Sequence, residues 1–219
     1  TCEVLLADAD EADPQEANLF KYACWQKFGL DSLRHSSSAE YNLYMALATP
    51  LLAALGAIGA AGASGAAGAS GAAGASGAAG ASEAGTEVDH NQPFLLAHDW
   101  LAMPLVLAAE INQPGQWRTV FYAHETTTAR RLIEEKSGHD TAFYNALYKA
   151  KEWNLSLEAI YGNQDHDHRH PLLRLATRCD AIFAVGDSVV DELRFLGGRF
   201  ANARIEVIYN GCRSTALTL

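Results

Sequence analysis

Two apolar runs in the middle of the chain stop in the same way. Pro93-Phe-Leu-Leu-Ala97 runs into His98-Asp99-Trp100, and Thr119-Val-Phe-Tyr-Ala123 runs into His124-Glu125. A buried strand that ends in polar residues delivers them to one edge of a sheet. In open α/β sheets the crevice beyond the carboxyl ends of the strands is where ligands bind. The pattern predicts strands over 93–97 and 118–123, with further apolar strands over 3–7, 181–185 and 205–208. Between them helical segments are predicted over 16–28, 39–55, 101–111, 127–135, 140–150, 171–178 and 189–196. Tyr41, Tyr44, Met45 and Ala48 fall on one face of the second. Gly138 separates the fourth from the fifth, and Pro171 opens the sixth as a favoured first-turn residue. Asp187 or Ser188 is placed to cap the last, which ends at Gly197-Gly198. Apolar strands each followed by a helix predict an α/β fold, a Rossmann-like parallel sheet with helices on both faces.

Residues 62–82 break the pattern by repeating Gly-Ala-Ser-Gly-Ala-Ala. Alanine favours helix, but each glycine costs about 1 kcal/mol relative to it. A six-residue period drifts around a 3.6-residue helix, and side chains this small bury little area. A flexible linker or insertion is therefore expected over 59–86, interrupting a single α/β domain made of 1–58 and 87–219. Loop-closure entropy grows only logarithmically, so a domain tolerates such an insertion.

Composition narrows the classes. Hydrophobic residues make up 49% of the 219, enough for a sizeable core. A net charge of -10 repels phosphate backbones and argues against nucleic acid as a partner. The most apolar stretch, Met45 to Ala61, holds Pro50 and glycines, so a membrane span of about 20 residues is not expected. No signal-peptide pattern opens the chain, and Thr1 in place of Met fits a fragment or a processed product. Cys2, Cys24, Cys179 and Cys212 are widely spaced without a CxxC pair, which reads as reduced thiols in a cytoplasmic protein. Cys2 and Cys179 each head an apolar run and suit the role of small buried hydrophobes.

Taken residue by residue, Asp99 is placed to cap the following helix and Trp100 to pack. Thr126 and Thr127 hydroxyls are placed to hold the loop after His124-Glu125. Arg130 and Arg131 fit a solvated helix face. Asp165-His-Asp-His-Arg-His170 is the densest group of metal-ligand types, making His166, His168 and His170 metal candidates and a metal-dependent hydrolase one alternative function. A non-catalytic glycan-binding α/β module is another. Gly186-Asp187 reads as a helix start, and Asn210-Gly211 as a turn.

The order of these segments resembles the N-terminal half of a two-domain GT-B glycosyltransferase of the glycogen/starch synthase type. The resemblance rests on four features: His98-Asp99-Trp100 before a helix; the next strand ending in His124; Cys179-Asp-Ala-Ile-Phe-Ala-Val-Gly-Asp-Ser-Val-Val-Asp-Glu-Leu193; and Ile205-Glu-Val-Ile-Tyr-Asn210-Gly211, similar to the family's junction strand. The Tyr41-Asn-Leu-Tyr44 helix fits the aromatic-rich helix before the His-Asp-Trp strand. The resemblance implies transfer of a sugar, glucose in this family, from a nucleotide-diphosphate donor (ADP- or UDP-glucose) to a glycan acceptor, with retention and without a cofactor. It implies His98 as the catalytic-side residue facing the transferred sugar; His124 and Glu125, at the end of the neighbouring strand, and Arg169, in the loop before the Pro171 helix, are the substrate-binding candidates by position. It also implies a C-terminal GT-B domain as partner across the cleft, with Asn210-Gly211 as the hinge. The family's Lys-x-Gly-Gly loop and its nucleotide-binding domain have no counterpart in the sequence, so the chain alone is expected to be inactive.

Overall fold

Alternation decides where the first strand sits. In β1 (Phe94–His98) Leu95 and Ala97 are buried, whereas Phe94 and Leu96 are 65% and 50% exposed. A strand with one buried and one open face is fixed in register, because a one-residue slip would exchange the two. This computed structural model describes residues 11–66, 92–135 and 139–210. Within them β1 pairs in parallel with β2 (Arg118–Ala123), β2 with β3 (Ala181–Ala184), and β3 with β4 (Ile205–Val207). The fold is thus the expected mixed α/β type, a four-stranded parallel sheet flanked by helices in the Rossmann-like manner.

The strand order β1-β2-β3-β4 is also the chain order. Each crossover therefore steps the same way across the sheet, and the parallel register keeps one set of side chains on a common packed face. That face carries Leu95, Ala97, Phe121, Ala123, Ile182 and Ala184, all buried. The first crossover is α3 (Met103–Asn112), led in by a tight turn at Trp100–Ala102. The second holds α4 (Thr127–Glu135), α5 (His139–Trp153), α6 (Leu157–Tyr161) and α7 (Arg169–Leu175). The third is α8 (Asp187–Phe195). Glycine at 197 is required twice over. Its φ is 76°, and a Cβ there would lie 2.6 Å from Cβ of Ser156.

α1 (Pro14–Phe28) starts two residues before the expected helix because Asp13 caps it, accepting the Gln15 N–H at 2.8 Å, with Pro14 in the first turn. It closes on Gly29 in the left-handed region, φ 71°. α2 (Ala39–Ala66) corrects two expectations. It runs through Pro50 and continues to Ala66, so the linker expected from 59 is helical over 59–66; the remainder of that linker lies outside the described residues. Interior proline costs about 3 kcal/mol, but Tyr41, Met45, Ala48 and Leu52 are all buried at 2% exposure or less, and burying side chains of this size offsets it. Within α2 the stretch Ala39–Ile58 is, by length and composition, long and apolar enough to cross a membrane, contrary to the reading of the sequence. Only 22% of that stretch is buried; its buried stripe, Tyr41, Met45, Ala48 and Leu52, packs in the core, and the helix contacts α1 and α3.

Other boundaries moved for local reasons. α7 begins at Arg169, so Pro171 occupies the first turn but not its first position; N–H groups there have no helical partner to lose. α8 begins at Asp187 behind Gly186, and Asp187 does not cap it: its carboxylate accepts the Tyr209 hydroxyl at 2.8 Å. α6, which the sequence reading did not anticipate, is capped by Ser156. The expected strand at 3–7, Cys2, Cys212, Gly138 and Gly211 lie outside the described residues. Cys24 and Cys179 are free thiols, and burial pushes both up to about 12.

Candidate functional site

The parallel register sets His98, the last residue of β1, beside Tyr122. His124 follows Tyr122 by two, so it returns to the same side of the strand just past the end of β2. The two imidazoles meet at the carboxyl rim of the sheet. Nδ1 of His98 lies 2.7 Å from Nε2 of His124, with ring planes 17° apart. Such a contact needs one nitrogen to donate and the other to accept, so it fixes the tautomers of the pair relative to each other. Tyr122 supports both rings, with centroids 5.6 Å from His98 and 4.5 Å from His124. Its hydroxyl donates to the Ile208 carbonyl at 2.7 Å, which ties the β2 end to the segment after β4.

Asp99 holds the rim together and is not the helix cap expected of it. The turn it precedes has no side-chain cap. Instead the Asp99 carboxylate accepts the backbone N–H of His124 at 2.8 Å and of Glu125 at 3.4 Å, while its own N–H donates to the Tyr122 carbonyl at 3.0 Å. The amides just past β2 have run out of ladder partners, and a carboxylate on the neighbouring strand satisfies them. Asp99 adopts φ 55° with ψ -175°, outside the left-handed helical region and in backbone space used almost only by glycine. Trp100 packs as expected, 5% exposed, edge-on to Tyr44 and His168.

Glu125 points to Arg130 at 4.0 Å. Behind it stands an acid that sequence reasoning did not single out as chemical. Glu192 on α8 is 1% exposed and accepts the Tyr144 hydroxyl at 2.7 Å. Burial pushes its carboxyl above the usual range against the pull of Tyr144 and Arg130. The signal was an acid among the apolar positions of an amphipathic helix, but such positions are as often exposed. Tyr122 was equally legible in principle, sharing strand parity with His124.

Arg169 is engaged within its own loop: its Nε and backbone N–H donate to Asp167 Oδ1 at 3.0 and 3.1 Å. Burial alone would raise the Asp167 carboxyl, but hydrogen bonds from Arg169 and the charges of Arg169 and Arg131 hold it below the usual range. Arg131 corrects the expectation of a solvated helix face. Only 11% of its side chain is exposed, and its Nε lies 3.0 Å from Asp167 Oδ2. Arg130, 48% exposed, matches that expectation. The alternating histidines turn to different surroundings. His168 lies 3.3 Å from Glu40. His170 is fully buried, its Nδ1 2.9 Å from the Thr128 hydroxyl; burial and the Arg174 charge lower its imidazole pKa. His166 is exposed in the turn that precedes them.

Two cavities, of about 540 and 730 Å³, lie away from this rim. The first is walled by Lys27, Phe28, Arg174, Arg178, Arg199 and Phe200, and the second by Phe94, Trp117 and Arg118, which mark helix ends and strand starts at the amino edge. Strand-end geometry and paired imidazoles identify the rim as the candidate site, because cavity size carries no chemistry of its own.

Compared with protein-family models and with curated proteins, the chain matches none.

Proposed function

We propose that the chain is the acceptor-side domain of a retaining GT-B glycosyltransferase, moving glucose from ADP- or UDP-glucose to a glycan. The observation that carries this is the His98–His124 pair on the carboxyl rim of a parallel sheet. With Nδ1 of the exposed His98 turned to His124, its Nε2 is the ring atom free to meet a sugar hydroxyl. Backing by His124, Tyr122 and the Asp99 clamp limits its rotation. A preoriented imidazole contributes by positioning and by steadying charge that develops during transfer. The nucleotide would be held by a second α/β domain facing this rim, which accords with a site open on one side. Glu125 stands beside the pair as a partner for acceptor hydroxyls; Arg169 would have to leave Asp167 to take part.

The acceptor half of the proposal has a direct test. Titrating the chain with maltoheptaose is expected to shift the ring ¹⁵N resonances of His98 and His124 together, and His98→Ala should abolish the response of His124. Resonances that stay fixed at millimolar glycan would refute an acceptor role for the rim. A purely glycan-binding module gives the same shifts and is told apart by absence of turnover in the two-domain enzyme.

A further inference from the structure

We propose that Glu158, Asp165 and His170 form a binding site for a zinc-class divalent ion. One ligand-type atom from each lies within 4.8 Å of the others. Glu158 comes from α6, Asp165 from the loop that follows, and His170 from the first turn of α7, so the three converge through the fold and not through the i,i+2 spacing of the histidines.

His170 supplies the independent sign of a ligand. Its side chain is fully buried, and Nε2 has no hydrogen-bond partner among the described residues. Glu158 Oε1 lies 3.5 Å away, an ion-pair contact that favours the charged imidazole but is too long for a good N–H···O bond. An unsatisfied buried polar nitrogen is costly and calls for a partner. Nδ1 is already oriented by the Thr128 hydroxyl, the arrangement by which an outer group fixes the tautomer of a metal-ligating imidazole and leaves Nε2 as the donor atom. An imidazole with two carboxylates suits zinc and its transition-metal neighbours better than calcium or magnesium, which take all-oxygen shells. Ligand atoms on a zinc ion sit about 3.3 Å apart, so groups that now lie within 4.8 Å of one another need to close by up to about 1.5 Å. Glu158 and Asp165 are only half-buried, which leaves them room to do so. Asp165 also lines the cavity of about 540 Å³, which gives an ion a route in and a water the fourth position.

Arg174 is the built-in competitor. Its Nη1 lies 3.1 Å from Glu158 Oε1 and it lines the same cavity. The ion would displace it from that oxygen and then bridge α6 to α7, with Thr128 bringing in α4.

Equilibrium dialysis of the full chain against zinc chloride, with cobalt absorption as a reporter of coordination, tests the site. Wild-type protein is expected to hold one equivalent more than Asp165→Asn. Glu158→Gln should weaken binding at least tenfold, His166→Asn should leave it unchanged, and Arg174→Gln should tighten it. Zinc should raise the melting temperature of wild type and not of Asp165→Asn. Equal stoichiometry in wild type and Asp165→Asn, or loss of the ion on His166→Asn, would overturn the proposal. Asp165→Asn and Glu158→Gln change half-buried groups, so their folding, checked by circular dichroism, keeps the comparison valid.

Discussion

Replacing His98 with alanine is expected to lower glucosyl transfer by about 10²–10³-fold, the usual effect of deleting one preorganised donor at a developing charge. The measurement needs the chain joined to a nucleotide-binding GT-B half and supplied with ADP- or UDP-glucose and a maltooligosaccharide. The loss should fall on kcat more than on the acceptor KM, because a contact strengthened in the transition state lowers both kcat and kcat/KM. His124→Ala should do less, since in the proposed site its ring acts chiefly by orienting His98 from 2.7 Å. Turnover that survives His98→Ala intact removes that residue from the site and with it the physical basis of the transferase reading. A wild-type two-domain enzyme that transfers nothing from either donor would remove the reading as a whole.

Phe121→Ala should cost about 3–5 kcal/mol of stability, a large share of the 5–15 kcal/mol that typically holds a domain together. Phe121 is fully buried at the centre of the sheet, between β1 and β3, so truncation leaves a cavity that strands on both sides prevent from collapsing. The contrast is Leu96→Ala on the neighbouring strand. Leu96 points to the open face and is 50% exposed, so its loss should cost well under 1 kcal/mol. Urea denaturation of the two variants measures the difference. Equal destabilisation would show that the face carrying Phe94 and Leu96 is packed in solution.

Much of the architecture was readable because apolar runs and their polar ends are local signals. The strands ending in His98 and His124 are where the sequence places them, and so is the parallel pairing that makes them neighbours. What the sequence could not show depends on contacts between distant segments. Asp99 looks like a helix cap because it precedes a helix; only pairing of β1 with β2 reveals two unsatisfied amides within its reach. The helix over 39–55 was legible through Pro50 from its apolar stripe, Tyr41, Met45, Ala48 and Leu52, but its continuation to Ala66 was not, because glycines there weaken the local signal. Arg131 looks solvated in sequence because nothing local shows that Asp167 comes to it. The 165–170 segment is conspicuous in sequence as ligand-type residues, but Glu158, which the fold sets beside Asp165 and His170, lies in a short helix that no local pattern marks.

A sheet whose strands are laid down in sequence order has a kinetic consequence. Phe94 pairs with Arg118 and Ile182 with Ile205 across short crossovers, whereas Val120 must wait for Ala181 on the far side of four helices. The entropic handicap of the longer closure is under about 1 kcal/mol, yet nonlocal pairing still slows assembly. Two βαβ nuclei should therefore form early and zip together last along the β2–β3 seam. In pulsed hydrogen exchange, amides of Ile182 to Ala184 facing β2 would gain protection later than those joining β1 to β2.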